Sequence, residues 1–389
     1  MKGNIYFAIA SAIALVFAQG CSKKPPATPE EALETYREKM AKGEVKEAAA
    51  VLAQYDKTAA PSPEVRMALA EAKLKKEPRT EKDLESAMKY VSSALDISPN
   101  DTMAHLLKGR IALEMKDFDL AYGEFAIVGD NPNVSPQTRA YAYNAMGVVG
   151  MKLEDAGMAR LNFFKGMHLD RRNAQIHYHL GELFSRKFDK LEEGALSQYK
   201  YFLRLAEPSD PHLKIVSERK IPDLTALIAK DKEDFAKSLG SPDPGKCAKL
   251  LEEGEKELKR GRTTKAIEKF RAAMHADGRS YSATIKFAET VQKSKAADMK
   301  LMRECVDAYV SAIKLRSKDR VNYIAAAKCS LKAGQNSRAV KILDKLLSFA
   351  PLDAEGLMLL AKAYRSQGAD RVPLAKEYEK FAKSLSGRR

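Results

Sequence analysis

The groups in this 389-residue chain able to do acid–base, nucleophilic or metal chemistry are six histidines, four cysteines and 52 acidic residues. Their spacing argues against all three kinds of chemistry. His177-Tyr178-His179 sets two imidazoles at i and i+2, on different sides of a helix, a poor geometry for joint metal ligation. Glu192-Glu193 and Glu252-Glu253 read as solvated helix faces. Cys247, Cys305 and Cys329 lack paired metal-type spacing, and the fourth cysteine, Cys21, stands apart after Ala18-Gln19-Gly20. There is no phosphate-cradling glycine loop, no G-x-S-x-G elbow and no Cys–His constellation. The reading is of a non-enzyme with no cofactor and no metal.

The elements that must position these residues are helices in pairs. Tyr323, Ala326, Ala327, Gly334, Ala339, Leu343, Leu346 and Pro351 fall at offsets suited to two antiparallel helices with a small-residue crossover. The grid recurs as His105, Gly109, Ala121, Phe125 and Val128, and as Tyr143, Met146, Gly147, Ala159, Phe163 and Gly166. It returns as Leu250, Gly254, Gly261, Ala266, Phe270 and Ala273. This resembles the tetratricopeptide repeat, a helix–turn–helix unit of about 34 residues. Gly109, Gly147, Gly181 and Gly254 lie within first helices, where glycine costs about 1 kcal/mol against alanine unless close backbone approach offsets it. Gly43, Gly261 and Gly334 fall at the turn, where a left-handed residue closes the first helix. His105 and His177 take the bulky slot of their repeats and read as packed.

Phasing the whole chain gives about nine units and an all-α fold, a right-handed α-solenoid in two arrays. Residues 31–208 hold the first array and 245–389 the second. Between them, 209–244 breaks the grid with Pro208, Pro211, Pro222, Pro242 and Pro244, while Leu224, Leu227, Ile228 and Phe235 make an amphipathic linker helix. Such a linker covers the apolar end that a terminal repeat exposes. Because the repeats account for nearly all of the chain, no separate catalytic domain is left over.

The first twenty residues do something else. Lys2 precedes an apolar run over Ile5–Ala18. Fourteen helical residues reach about 21 Å, short of the ~30 Å hydrocarbon core, so residues 1–20 read as a secretory signal. Ala18-Gln19-Gly20-Cys21 resembles the bacterial lipoprotein box, departing from it at Ala18, where leucine is usual. That resemblance implies diacylglycerol on the Cys21 thiol. Ala18-x-Gly20 also satisfies an ordinary signal peptidase, which leaves Cys21 a free thiol. The polar, proline-rich stretch from Cys21 to 30 suits a tether, and Ser22 after the cysteine resembles sorting to the outer membrane, facing the periplasm.

Charge is the second signal. The net charge is +15, with 35 basic and 34 acidic residues through position 242 and 32 and 18 beyond it. In the tetratricopeptide resemblance, first helices line the concave surface. The second array's inward positions are then Lys259, Lys286, Lys293, Lys328, Lys332, Lys362 and Arg365, which would focus positive potential on an acidic partner. A lysine-rich face kept for solubility or for anionic headgroups is the plainer alternative. The first array's set is Leu106, Leu107, Arg110, Tyr141, Asn144, Val148, Met151, Tyr178, His179 and Arg186, suited to a peptide segment; Tyr141 and Tyr178 have packing between helices as their alternative. Cys305 and Cys329 sit on facing helices and read as two small buried hydrophobes rather than a pair. Nucleic acid is not expected, since the lysines lack interleaved stacking aromatics.

The sequence therefore implies a lipid-anchored repeat scaffold. It resembles lipoproteins that help assemble pili, secretins and other envelope export machines, with an adaptor for an anionic polymer as the alternative. Changing Cys21→Ser is expected to abolish acylation and to move the protein from the membrane to the soluble fraction. Fractionation and intact mass check this; unchanged processing and membrane association would remove the lipid reading.

Overall fold

The computed structural model describes residues 26–185, 191–295 and 297–387. It divides into two compact units, with the boundary between Asp130 and Asn131. The first unit holds α1 (Pro29–Ala41), α2 (Val45–Thr58), α3 (Pro63–Leu74), α4 (Glu81–Ile97), α5 (Thr102–Glu114) and α6 (Phe118–Gly129). The second opens with α7 (Pro136–Lys152), α8 (Ala156–Leu169), α9 (Ala174–Phe184), α10 (Glu192–Leu205) and a linker helix α11 (Ile221–Ser238). It continues with α12 (Pro244–Lys259), α13 (Thr263–Ala276), α14 (Tyr281–Lys293), α15 (Met299–Leu315), α16 (Arg320–Lys332), α17 (Asn336–Phe349), α18 (Ala354–Arg365) and α19 (Val372–Ser386). Apart from α11, these are nine helical hairpins of tetratricopeptide type, three in the first unit and six in the second.

Local chemistry sets the helix bounds. First helices begin where Ser62, Asp101, Ser135, Asn173, Asp319 or Asp353 accepts a backbone N–H of the first turn. Several of them end at a left-handed turn. Gly43, Gly261 and Gly334 hold φ of 78°, 75° and 68° there, as the spacing predicts. In the third and fourth hairpins Lys116 and Glu154 occupy that turn at φ of 63° and 58°, at a cost of about 1–2 kcal/mol each.

Within a hairpin, the two helices meet where a ring lies on a glycine. A Cβ added at Gly109 would sit 2.8 Å from the Phe125 ring, and the same clash recurs for Gly147 on Phe163, Gly181 on Tyr199 and Gly254 on Phe270. All four rings are essentially fully buried. Glycine is thus retained inside a helix because a side chain there would push the second helix away. The bulky slot has its own task. His105 donates from Nε2 to the Pro99 carbonyl (2.9 Å), His177 to that of Arg171 (3.0 Å), and the Tyr323 hydroxyl to that of Ser317 (2.8 Å). In each case the acceptor lies six residues upstream, so this side chain ties its helix to the preceding inter-repeat turn. The two histidines are packed, as expected.

The compact units do not coincide with the two arrays read from sequence. In the second unit, one continuous apolar core runs from Ala140 to Ala382 across the linker. The second helices α8 and α10 pack against α19 and α17, the second helices of the last two hairpins. The first helices α7, α9, α16 and α18 contribute less to this contact, α18 through Tyr364. Gly157 and Gly194 permit the approach, lying against Tyr364 and Leu374 and against Ser348. Between the helices, Arg160, 3% exposed, pairs with Asp344 at 2.7 Å and donates to the hydroxyls of Tyr364 (2.9 Å) and Tyr378 (3.3 Å). Burial pushes the Tyr378 hydroxyl up to about 12, so it remains a donor, to the Gly157 carbonyl at 2.9 Å. The linker bridges rather than separates. Leu224 of α11 is buried, Ile228 and Phe235 partly so, and Lys314 of α15 lies over the Phe235 ring at 4.8 Å.

One expectation is corrected. Cys305 and Cys329 form a disulfide between α15 and α16, with Cα atoms 6.4 Å apart, instead of standing as separate small hydrophobes. Adjacent second and first helices of neighbouring hairpins bring the two positions face to face. Cys247 is a free, buried thiol.

Two glycine substitutions should have opposite effects. Gly147→Ala should lower stability by about 1–3 kcal/mol through overpacking against Phe163. Gly123→Ala, at an exposed helical site with open space around the new Cβ, should raise it by about 0.5–1 kcal/mol. Urea unfolding followed by circular dichroism measures both.

Candidate functional site

The first helices of the last four hairpins carry the lysines that the sequence nominated. Lys286 of α14 reaches Glu255 of α12 at 2.8 Å, and Lys328 of α16 reaches Glu355 of α18 at 2.8 Å. Arg365 pairs with Glu379 at 2.8 Å, and Lys293 lies 3.9 Å from Glu289 one turn earlier. Lys259, Lys332 and Lys362 are exposed and pair with no carboxylate among the described residues. The face is therefore an alternation of cations and carboxylates rather than a uniformly positive lining. Glu255 and Glu355 are each held below the usual carboxylate range, first by the hydrogen bonds from Lys286 and Lys328.

Two clefts open on this part of the unit. One, of about 560 Å3, is lined by Lys286, Lys293 and Lys295 with Thr263, Thr264 and Thr290. The other, of about 750 Å3, lies by the start of α18 and includes Arg320, Glu355, Met358 and Leu385. Arg320 and Lys295 are cations the sequence reading missed. Arg320 opens α16, ahead of the grid positions, and binds Asp353 and Glu355. Lys295 belongs to the insertion after α14, where no grid position points to it.

The set nominated in the first array is divided between the two compact units. Leu106, Leu107 and Arg110 belong to the first unit, and only Arg110 is exposed. In the second unit Tyr141 is 45% exposed, while Val148 and Met151 are half-buried. Asn144 is buried and accepts from His179 Nδ1 at 2.9 Å, and the His179 ring stacks on Phe163. Tyr178 stacks on His212 with ring centroids 4.0 Å apart. Around it, the Gln175 amide donates to Asp210 at 2.6 Å and Lys220 pairs with Glu182 at 2.9 Å. The chain's own segment after α10 thus occupies the inner side of α9. Asn144 and His179 are engaged with each other, and Tyr178 takes its packing alternative against His212, so these three side chains are committed within the unit. Cys21 and Arg186 lie outside the described residues.

Among the described residues no group of three or more His, Cys, Asp or Glu is placed to hold a metal ion, and no helix is long and apolar enough to cross a membrane. The site's groups are ammonium, guanidinium, carboxylate, hydroxyl and apolar side chains on helices, suited to non-covalent binding.

No family model matches this chain, and no curated protein matches it. Solved structures similar to it include PilF of Pseudomonas aeruginosa, at 16% identity and a TM-score of 0.42, over 55% of this chain and 92% of that one. MamA is similar at 14% identity and a TM-score of 0.30, over 64% of this chain and 92% of that one. A monomeric IFIT1 mutant is similar at 14% identity and a TM-score of 0.35, over 97% and 86%. These scores lie below 0.5, and the fold is read from the helix packing itself.

His179 gives a pH signature. Burial, and then His212, push its imidazole down to about 4, whereas the unfolded chain's histidine takes its proton near pH 6.5. Between these values the unfolded state binds the extra proton, so this contribution to stability is present above pH 6.5 and is lost as pH falls toward 4. His179→Gln should flatten the fall of melting temperature between pH 6.5 and 4.5 relative to the wild type. Equal slopes would show that the buried neutral imidazole does not set it.

Proposed function

We propose that this chain is a lipid-anchored scaffold of the bacterial envelope that binds protein segments on the first-helix face of its last four hairpins. The observation that carries the reading is the alternating arrangement on α12, α14, α16 and α18. Among the described residues Lys259, Lys332 and Lys362 form no ion pair, though Lys259 acts on Glu255 at longer range, while Glu255 and Glu355 hold neighbouring lysines in place. An acidic protein segment, with carboxylates at intervals and apolar or neutral residues between, complements such a face. A uniform polyanion fits less well, since Glu255, Glu289, Glu355 and Glu379 would oppose it. The anionic-polymer adaptor is therefore the less favoured alternative.

The envelope assignment is supported by the signal-like residues 1–20, by Cys21 in its lipoprotein-like box, and by the Cys305–Cys329 disulfide, which fits an oxidising compartment. On this reading Cys21 carries the lipid, the chain stands at the outer membrane facing the periplasm, and its repeats serve the assembly of a pilus, a secretin or another export machine. Binding is by shape and charge, without bond chemistry.

Affinity capture of the mature protein from its own envelope, with Lys332→Glu and Lys362→Glu combined, tests this. Capture of the physiological partner should fall by about tenfold or more, with helicity unchanged and with the wild-type interaction weakening as salt rises. Retention of the same partner at wild-type levels by the double variant would remove the binding face.

A further inference from the structure

The seam between the second helices in the second unit is built unlike the rest of its core. Within each hairpin, rings and aliphatic side chains fill the space. Across the seam, polar and minimal side chains are interspersed with apolar ones such as Leu374 against Gly157 and Phe381 against His168. Arg160 meets Asp344, Tyr364 and Tyr378; Lys165 meets Glu377 at 2.9 Å; and Arg371 meets Asp155 at 3.0 Å. The Gln198 amide donates to the Ser348 carbonyl at 3.3 Å, and Gly157 and Gly194 supply the close approach.

A buried ion pair adds little to stability over well-packed apolar residues, because desolvation offsets most of its attraction. Its distinctive property lies in separation. When an apolar seam opens, it exposes hydrocarbon to water; when this seam opens, Arg160, Asp344 and the tyrosine hydroxyls regain hydration. The segment joining the two sides is anchored at its start, by His212 on Tyr178 and by buried Val216, and lightly held along α11. Of the 18 residues of α11 only Leu224 is buried, and the helix is flanked by a π-turn at Val216–Lys220 and by Gly240 at φ 65°. Beneath α11 remains a cleft of about 390 Å3, lined by Ile228, Phe235, Ile313, Lys314 and Lys345 among others.

We propose that this seam is a releasable clasp. Hairpins four and five separate from hairpins eight and nine as intact bodies, with residues 206–243 as the hinge and the Arg160–Asp344 pair as the latch. Release uncovers the second-helix faces of α8, α10, α17 and α19 while leaving the Gly–ring packing of every hairpin in place.

Thiol labelling of two single-cysteine reporters on α17 tests it, with the labelling of the parent protein subtracted. Ser348→Cys places a thiol in the seam; Ala339→Cys places one on the same helix among groups of its own array, and both sites are buried. Under native conditions the seam thiol should label about tenfold or more faster than the other, with a weaker urea dependence. In the Ser348→Cys background, Arg160→Met alone should speed labelling by leaving Asp344 without its cation. Arg160→Met combined with Asp344→Leu should slow it below the parent rate by making the seam apolar. Circular dichroism confirms that each variant is folded. Equal rates and urea dependence at the two positions would mean that the seam opens only with global unfolding, and the clasp would be refuted. Labelling at Ser348→Cys indifferent to both Arg160 variants would equally refute the latch.

Discussion

The architecture depends on one steric constraint, an aromatic ring that must lie directly on helix backbone. Where Phe125, Phe163, Tyr199 or Phe270 descends from the second helix of a hairpin, the facing position has no room for a Cβ. Glycine's unfavourable helix propensity is offset because the ring buries a large apolar surface at full packing density. The eighth hairpin reaches the same balance with smaller parts: Ala327 stands sixteen residues before Leu343, and both are fully buried. Each hairpin thereby becomes a rigid two-helix body, and bodies of this kind can be stacked, offset or turned back on one another without internal change.

The second unit uses that freedom. Its second helices face each other across a polar seam, so the surface that a simple array would leave to solvent at its end is covered by the same chain. Tyr378 and Phe381 of the last helix, α19, are buried. The last hairpin thus lacks the bare apolar face that usually demands a capping helix. Closure leaves the first helices as the faces on which the proposed binding would take place, because the second-helix sides of these hairpins are already committed.

Recognition follows from how charges are distributed on a rigid frame. Lys286 and Lys328 are oriented by Glu255 and Glu355 on neighbouring first helices, whereas Lys332 and Lys362 point outward without such partners. On the proposed reading, the net positive charge of this half of the chain would draw an acidic segment, and the interleaved carboxylates would limit which acidic segments fit.

The hairpins, their turns and their glycines were legible in the sequence because each depends on residues within about 20 positions of one another. His105 and His177 were read as packed for the same reason: their partners lie on the same hairpin or the turn before it. Lysine exposure on the first helices was also legible, since helical period alone sets it. What the sequence did not disclose joins residues far apart. Arg160 and Asp344, Gly194 and Ser348, and Tyr178 and His212 meet only once whole hairpins have packed. No local period marks a charged residue beside Ala159 as a buried latch. Whether the linker leaves a hinge or one packed body was open in the sequence on the same ground, since proline and lost repeat spacing report where helices stop, not whether the bodies on either side touch. The sequence by itself determined what each hairpin is, because its energetics are local; only the tertiary structure decided which hairpin faces remain for a partner, because that is settled by contacts between distant surfaces.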